Sequence, residues 1–172
     1  MYISKILRIE FDVPLNWLGV ENKAFFREQL KIPFEQAETT AVILVKLENE
    51  SVSKYISVTQ DLETYASIDE YKEGLEGNVG ALIEAGCKVV SRRSMTAPDG
   101  YPVDHMMVSA QGVLMSQYYV WFNTLLLCFA TQVASQDDYD NINMENIVMS
   151  LQKHDAKLSR LTSTSNTSLK EF

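Results

Sequence analysis

Side chains that could carry out acid–base or metal chemistry are few in this chain. It contains two histidines, His105 and His154, and two cysteines, Cys87 and Cys128. His105 directly follows Asp104 in a predicted strand, so the two side chains project to opposite faces and do not pair. The scattered positions of the histidines and cysteines do not match the spacing of zinc ligands. We expect His105 to be a packed or edge residue and His154 to be structural, near the end of a helix.

Established catalytic motifs are absent from the sequence. It lacks the patterns G-x-x-x-x-G-K-[ST], G-x-G-x-x-G, G-x-S-x-G and H-E-x-x-H. Asp137, Asp138 and Asp140 favour a helix start, because a calcium loop needs about twelve residues with a central glycine. Arg92 and Arg93 are adjacent in a predicted strand, which favours a solvated surface over an anion site. We therefore expect a non-enzymatic protein with no metal and no cofactor.

Composition narrows the classes of partner. The chain has 172 residues and a formal net charge of −8, which argues against a nucleic-acid ligand and against adsorption to anionic membranes. No stretch approaches the roughly 18 uncharged apolar residues of a membrane span, and the first residues do not resemble a signal peptide. We expect a cytoplasmic protein, unless a signal segment was removed. Free thiols are then favoured over a disulfide between the cysteines.

Residues 87–133 show the strongest structural pattern of the chain. Apolar segments alternate there with turn sequences, and the short spacing predicts an antiparallel meander, since parallel neighbours need longer crossovers. The predicted strands are Lys88–Thr96, Pro102–Ala110, Val113–Phe122 and Leu125–Val133. The third strand is not plainly polar on either face, so helices or a partner should cover both faces of the sheet.

Weaker patterns predict the remaining elements. Ser67 and Glu70 form a capping-box signature for a helix that runs to about Ala85, with Gly86 at its C-terminal end. The helix contains Gly74, Gly77 and Gly80. These glycines predict close packing of the helix on the sheet; the alternative is a groove or a bending point for a partner. The other predicted elements are a strand Ile3–Val13, a turn Asn16–Gly19, a helix Val20–Leu30, strands Thr39–Leu47 and Lys54–Asp61, and a closing helix from Ser135.

The length and the final composition predict one domain with a tail. Residues 1–157 have the pattern of a single α+β domain, with neither an internal repeat nor a second domain. Residues 158–172 are rich in Ser, Thr and Asn, and we expect them to be a polar, mobile tail.

Aromatic and methionine side chains are concentrated in the predicted meander. One interpretation is a core beneath two helical layers. The other is that part of one face remains a groove for an apolar peptide or helix, because interaction surfaces use these same residue types. The candidate partner-binding residues are Met107, Met115, Tyr119, Trp121 and Phe129.

Several short motifs occur in an order found in one known family. Phe11-Asp12-Val13-Pro14-Leu15-Asn16-Trp17 resembles the F-x-x-P-x-x-W opening of the PsbP-like superfamily. Ser67-Ile68-Asp69-Glu70-Tyr71 is similar to its S-x-E-E-Y helix start, and Pro98-Asp99-Gly100-Tyr101-Pro102 to its glycine turn. Ile147-Val148-Met149-Ser150-Leu151 is similar to its closing I-x-x-S-[FL]. The resemblance covers about Ile9 to Gln152.

The resemblance implies both a fold and a type of function. The superfamily includes DcrB-type lipoproteins, the Ran-binding Mog proteins and the effector-associated chaperones of type VI secretion. It implies an α/β/α sandwich in which helices flank an antiparallel sheet, and a non-enzymatic role in binding proteins. The bacterial secretion chaperones are cytoplasmic and often dimeric, and they shield apolar helices of effectors. We expect such a chaperone or adaptor, with an apolar helix as its partner and homodimerisation as an option.

Two other functions stay open. An immunity protein that neutralises a cognate toxin domain would also be small, acidic and free of catalytic motifs. A hydrolase with an unrecognised site would depend on residues such as Asp104 and His105.

Overall fold

The computed structural model describes residues 1–134 and 144–154, with the backbone alone for Leu62. The predicted helix start at Ser135, the acidic residues that follow it and the predicted tail over residues 158–172 therefore lie outside the described residues.

The described residues form two antiparallel sheets. A seven-stranded sheet has the spatial order β3-β4-β5-β9-β8-β7-β6, and a three-stranded sheet has the order β1-β2-β10. The strands are β1 (Tyr2–Ser4), β2 (Ile9–Phe11), β3 (Trp17–Val20), β4 (Thr40–Glu48), β5 (Ser51–Thr64), β6 (Lys88–Thr96), β7 (Pro102–Ala110), β8 (Val113–Phe122), β9 (Leu125–Val133) and β10 (Gln152–Lys153). The predicted meander is confirmed, because β6 to β9 have the predicted bounds and pair in sequence order.

Four helices accompany the sheets in the described residues: α1 (Lys23–Glu28), α2 (Phe34–Thr39), α3 (Ile68–Glu84) and α4 (Met144–Met149). The Ser67 N-cap is confirmed, since Ser67 Oγ accepts from the Glu70 amide at 3.2 Å, and the Glu70 carboxylate accepts at 2.9 Å from the Ala66 amide, one residue before the cap. Gly86 has a φ of 90°, as a C-terminal glycine requires. The predicted helix Val20–Leu30 is shorter than expected, and α2 was not anticipated.

Two predictions for the first twenty residues were wrong. Ile3–Val13 is not one strand: Arg8 has a φ of 54°, and the chain reverses so that β1 pairs with β2. Asn16–Gly19 is not a turn throughout, because Trp17 to Val20 form the edge strand that pairs with β4. Gly19 allows this arrangement, since the Tyr2 ring occupies the space that a Cβ would need.

The faces of the large sheet are covered by different layers. Val42, Tyr118 and Phe129 pack on one face against β2 and α4, whereas Ile43 and Tyr119 lie on the other face with the helices α1 to α3. The α+β class is therefore correct. The structure differs from the expected α/β/α sandwich in one outer layer, which contains the three-stranded sheet as well as a helix.

The helix glycines of α3 differ in their surroundings. A Cβ on Gly74 would overlap the Tyr65 ring, so close packing is confirmed there, against Tyr65. A Cβ on Gly77 or Gly80 would meet no atom within 4 Å. The close-packing prediction is wrong for these two positions, which face open space among the described residues.

Candidate binding cleft

A cleft lies on the helical face of the large sheet, between two helical units. The helices α1 and α2 pack on Ile43 and Val45 of β4, and α3 packs farther along the sheet on Met106 and Tyr119. Between them, β5 and β9 form an open floor, and the space has a volume of about 860 Å³. This size lies within the roughly 300–1,000 Å³ typical of ligand sites. The volume is therefore large enough for a ligand or a peptide segment.

The hydroxyl groups of the floor bond within the protein. Ser57 Oγ donates to the Ala130 carbonyl and Thr59 Oγ1 to the Cys128 carbonyl, each at 3.4 Å. The Tyr119 hydroxyl donates to Gln117 Oε1 at 2.9 Å. The first two bonds join β5 to β9, and the third orients Gln117 within β8.

Side-chain amides line the cleft from several elements. They come from α2, α3, β8 and β9, and they are Gln36, Asn78, Gln117 and Gln132. Gln60 of β5 also borders the cleft, but it pairs with Leu127 and has the parity of the opposite face. Within residues 1–134 and 144–154, their side chains make no hydrogen bond apart from the one that Gln117 accepts from Tyr119. Gln117 is only 8% exposed, yet its amide nitrogen has no described protein acceptor. The lining thus has unused donors and acceptors.

Charged residues stand on the rim. Lys31 lies in the α1–α2 connection, and Asp61 and Glu63 lie on β5. Asp61 accepts from the Tyr65 hydroxyl at 3.0 Å and from the Glu63 amide at 3.1 Å. Burial, followed by this bond to Asp61, raises the pKa of Tyr65 to about 12. In the described part of the chain neither acid forms an ion pair.

The cleft offers little acid–base chemistry. Burial raises the pKa of the Cys128 thiol to about 12, although Tyr119 and Thr59 hydrogen-bond to it. Burial also raises the pKa of Tyr119 well above its usual value. Both groups stay protonated near neutral pH, so Cys128 is a poor nucleophile. The described residues contain no group of three His, Cys, Asp or Glu side chains arranged for a metal ion.

The predicted partner-binding residues do not share one surface. Met115 and Tyr119 line the cleft. Trp121 points to the same face, but its ring stacks on that of Tyr71, with 6.2 Å between the ring centroids, and helps to hold α3. Met107 and Phe129 are buried on the opposite face, because they have the other parity in their strands. The cleft that Met115 and Tyr119 line has a mixed polar and apolar lining.

The pair Asp104 and His105 is divided between the two faces, as predicted. Asp104 accepts from the Tyr71 hydroxyl at 2.7 Å and from Ser94 Oγ at 2.5 Å on the α3 side. His105 lies on the other side with its Nε2 2.9 Å from Ser116 Oγ. Burial, and then the positive charge of Arg93, lowers the His105 pKa to about 4. His105 is therefore a neutral packed residue near neutral pH.

The other residues considered for chemistry also have structural partners. Arg92 pairs with Glu76 of α3, and Arg93 pairs with Glu145 of α4 on the opposite face. Both arginines are exposed, so the expected solvated surface is confirmed, and each also forms a surface salt bridge to a helix. The expectation for His154 was wrong in its position: it follows β10 rather than a helix, with Nδ1 3.0 Å from a Glu10 carboxylate oxygen. Both cysteines are free thiols.

Comparisons with known proteins identify the fold. No family model matches the sequence, and no curated protein matches it. Among solved structures, the solution structure of the cyanobacterial PsbP protein CyanoP from Synechocystis sp. PCC 6803 is similar, with a TM-score of 0.56 and 14% identity. The match covers 89% of this chain and 91% of CyanoP. The chain therefore has a PsbP-like fold, and identity this low says nothing about its role.

The motifs that suggested the resemblance form joints of the fold. The Tyr101 hydroxyl donates to the Val148 carbonyl at 2.8 Å and accepts from the Leu151 amide at 3.0 Å. Ser150 Oγ accepts from the Asp12 amide at 2.8 Å. These contacts join β7 and β2 to the end of α4, and none of these residues lines the cleft. The Tyr101 and Ser150 motifs therefore hold the end of α4 against the sheets.

Proposed function

We propose that this protein is a non-enzymatic protein-binding module of the chaperone or adaptor type, and that it holds a segment of its partner in the cleft. The observation that carries this proposal is the sheet floor between α1–α2 and α3, which no described residue covers, on a face that the described helices otherwise cover. A floor of ordered strands between two helical walls is a preformed surface for a chain segment.

The proposal includes a more specific role within the PsbP-like group. The sequence motifs and the cleft support a chaperone or adaptor for a secreted effector, related to the secretion chaperones rather than to the DcrB or Mog branches. A cytoplasmic location and homodimerisation are parts of this same proposal. None of the helices in the described residues is long and apolar enough to cross a membrane.

An immunity protein is the second candidate function. It is favoured by Asp61 and Glu63, two rim carboxylates without an ion-pair partner in the described residues, and by the net charge of −8. Such a protein would bind a basic toxin domain, and charge complementarity would speed their association.

Copurification with a cleft-blocking variant tests the proposal. Asn78 is half-buried on α3 and lines the cleft, so Asn78→Trp fills the space without removing a described hydrogen bond. Asn146→Trp, on exposed α4 surface across the sheet, is the control. We expect the tagged wild-type chain and the control to retain one stoichiometric protein from native cells, identified by mass spectrometry, and Asn78→Trp to lose it.

The identity of the captured protein separates the two functions. A secreted effector supports the chaperone or adaptor, and a basic toxin supports the immunity protein. Equal recovery with all the variants, or no partner with any of them, contradicts binding in the cleft.

A further inference from the structure

The amide side chains of the cleft have the hydrogen-bonding character of a peptide group. A primary amide presents N–H donors beside a carbonyl acceptor, so it can pair with both polar groups of a backbone unit. The cleft contains four such side chains, which are Gln36, Asn78, Gln117 and Gln132. Gln36, Asn78 and Gln132 have no side-chain bond to any described residue, and Gln117 keeps its amide nitrogen free of a described acceptor.

We propose that the cleft binds a polar peptide segment in an extended conformation, with a basic side chain placed beside Asp61 and Glu63. This inference rests on the proposed protein-binding function and names the chemistry of the bound segment. It departs from the apolar helix that the aromatic and methionine content of the meander suggested.

An extended segment fits the lining better than a helix does. A helix satisfies its interior N–H and C=O groups within itself, so the amides of the cleft would have no backbone partners. An apolar helix would also cover Gln117 and its neighbours without offering bonds to them. An extended chain, in contrast, carries an unpaired donor and acceptor at each non-proline residue. The side-chain amides of the cleft and the backbone groups of the segment would then be hydrogen-bonded to each other.

The negative charges of the rim favour a basic side chain on the bound segment. Two acidic residues and one basic residue, Lys31, line the cleft, so the lining is negative on balance. Asp61 and Glu63 are two positions apart on β5, and neither has an ion pair among the described residues. A lysine or arginine of the segment would supply the missing positive charge, and a carboxylate there would be repelled.

A random peptide library tests the chemistry of the segment. The purified full chain is immobilised and panned with phage that display random twelve-residue peptides, and enriched peptides are synthesised for fluorescence-anisotropy titration. We expect uncharged polar residues with one lysine or arginine. The double substitution Gln36→Ala and Asn78→Ala, one on each wall, should raise the dissociation constant at least tenfold. The matched double substitution Asn146→Ala and Gln152→Ala, on exposed positions outside the cleft, should leave it unchanged.

A charge reversal tests the position of the basic side chain. Glu63→Lys should weaken these peptides at least tenfold and should shift the panned sequences from lysine and arginine toward aspartate and glutamate. Glu73→Lys makes the same change at an exposed position of α3 that does not line the cleft, and it should have neither effect.

Three results would overturn the inference. Enrichment of apolar helix-forming peptides would leave protein binding intact but assign a different ligand. Equal affinity of the cleft and control variants would place binding elsewhere. Enrichment no greater than on an unrelated acidic protein would exclude peptide recognition, while the copurification experiment would decide the broader function separately.

Discussion

Gly19 is closely packed, whereas Gly77 is surrounded by open space in the described residues. A side chain at Gly19 would overlap the Tyr2 ring, which packs on Phe11 at 5.5 Å and whose hydroxyl donates to Glu21 at 2.8 Å. A side chain at Gly77 would meet no described atom within 4 Å. The first glycine is required by packing, whereas the second only adds flexibility to the unfolded chain and to the helix.

Alanine at these two positions should have opposite effects on stability. Gly77→Ala should raise the free energy of unfolding by about 0.5–1 kcal/mol, because alanine loses less backbone entropy in a helix. Gly19→Ala should lower it by about 1–3 kcal/mol, since Tyr2 must move from its site. Urea denaturation followed by circular dichroism measures both, and Gly80→Ala repeats the test at the second open position. A destabilising Gly77→Ala would show that this face of α3 has a contact that the structure lacks.

At the level of elements, α4 is attached to the sheets by a few polar contacts. The Tyr101 hydroxyl, at the start of β7, bonds to both Val148 and Leu151. Burial raises the pKa of Tyr101 to about 12, so the hydroxyl stays protonated and can donate over the physiological range. Since Leu151 leads directly into β10, the same contact also positions the third strand of the small sheet.

Removal of this hydroxyl should loosen α4. Tyr101→Phe leaves a buried carbonyl and a buried amide without a partner, and we expect a loss of about 1–3 kcal/mol in the free energy of unfolding. Hydrogen exchange of the Leu151 amide should accelerate more than that of the meander amides. Tyr55→Phe is the control, because the Tyr55 hydroxyl has no described hydrogen bond. Equal losses in the two variants would contradict this role of Tyr101.

For the whole molecule, the sequence predicted local elements better than distant pairings. The meander was predictable because its turns and its strands are neighbours in the chain. The small sheet was not, since it joins Ile9 to Lys153 from the far end of the domain. The cleft was missed for the same reason: its amides come from separate elements, and no local pattern connects Gln36 with Gln132. Aromatic content selected Tyr119, which lines the cleft, and Phe129, which is buried on the other face, without distinguishing them.

Photo-crosslinking in native cells shows whether a partner segment lies between the two helical walls. A benzophenone amino acid is placed at Gln36 on one wall, at Asn78 on the other, and at Asn146 across the sheet as a control. We predict that both wall positions crosslink to the same partner peptide and that the control position does not. Crosslinks from Asn146 alone, or to different proteins from the two walls, would contradict the account.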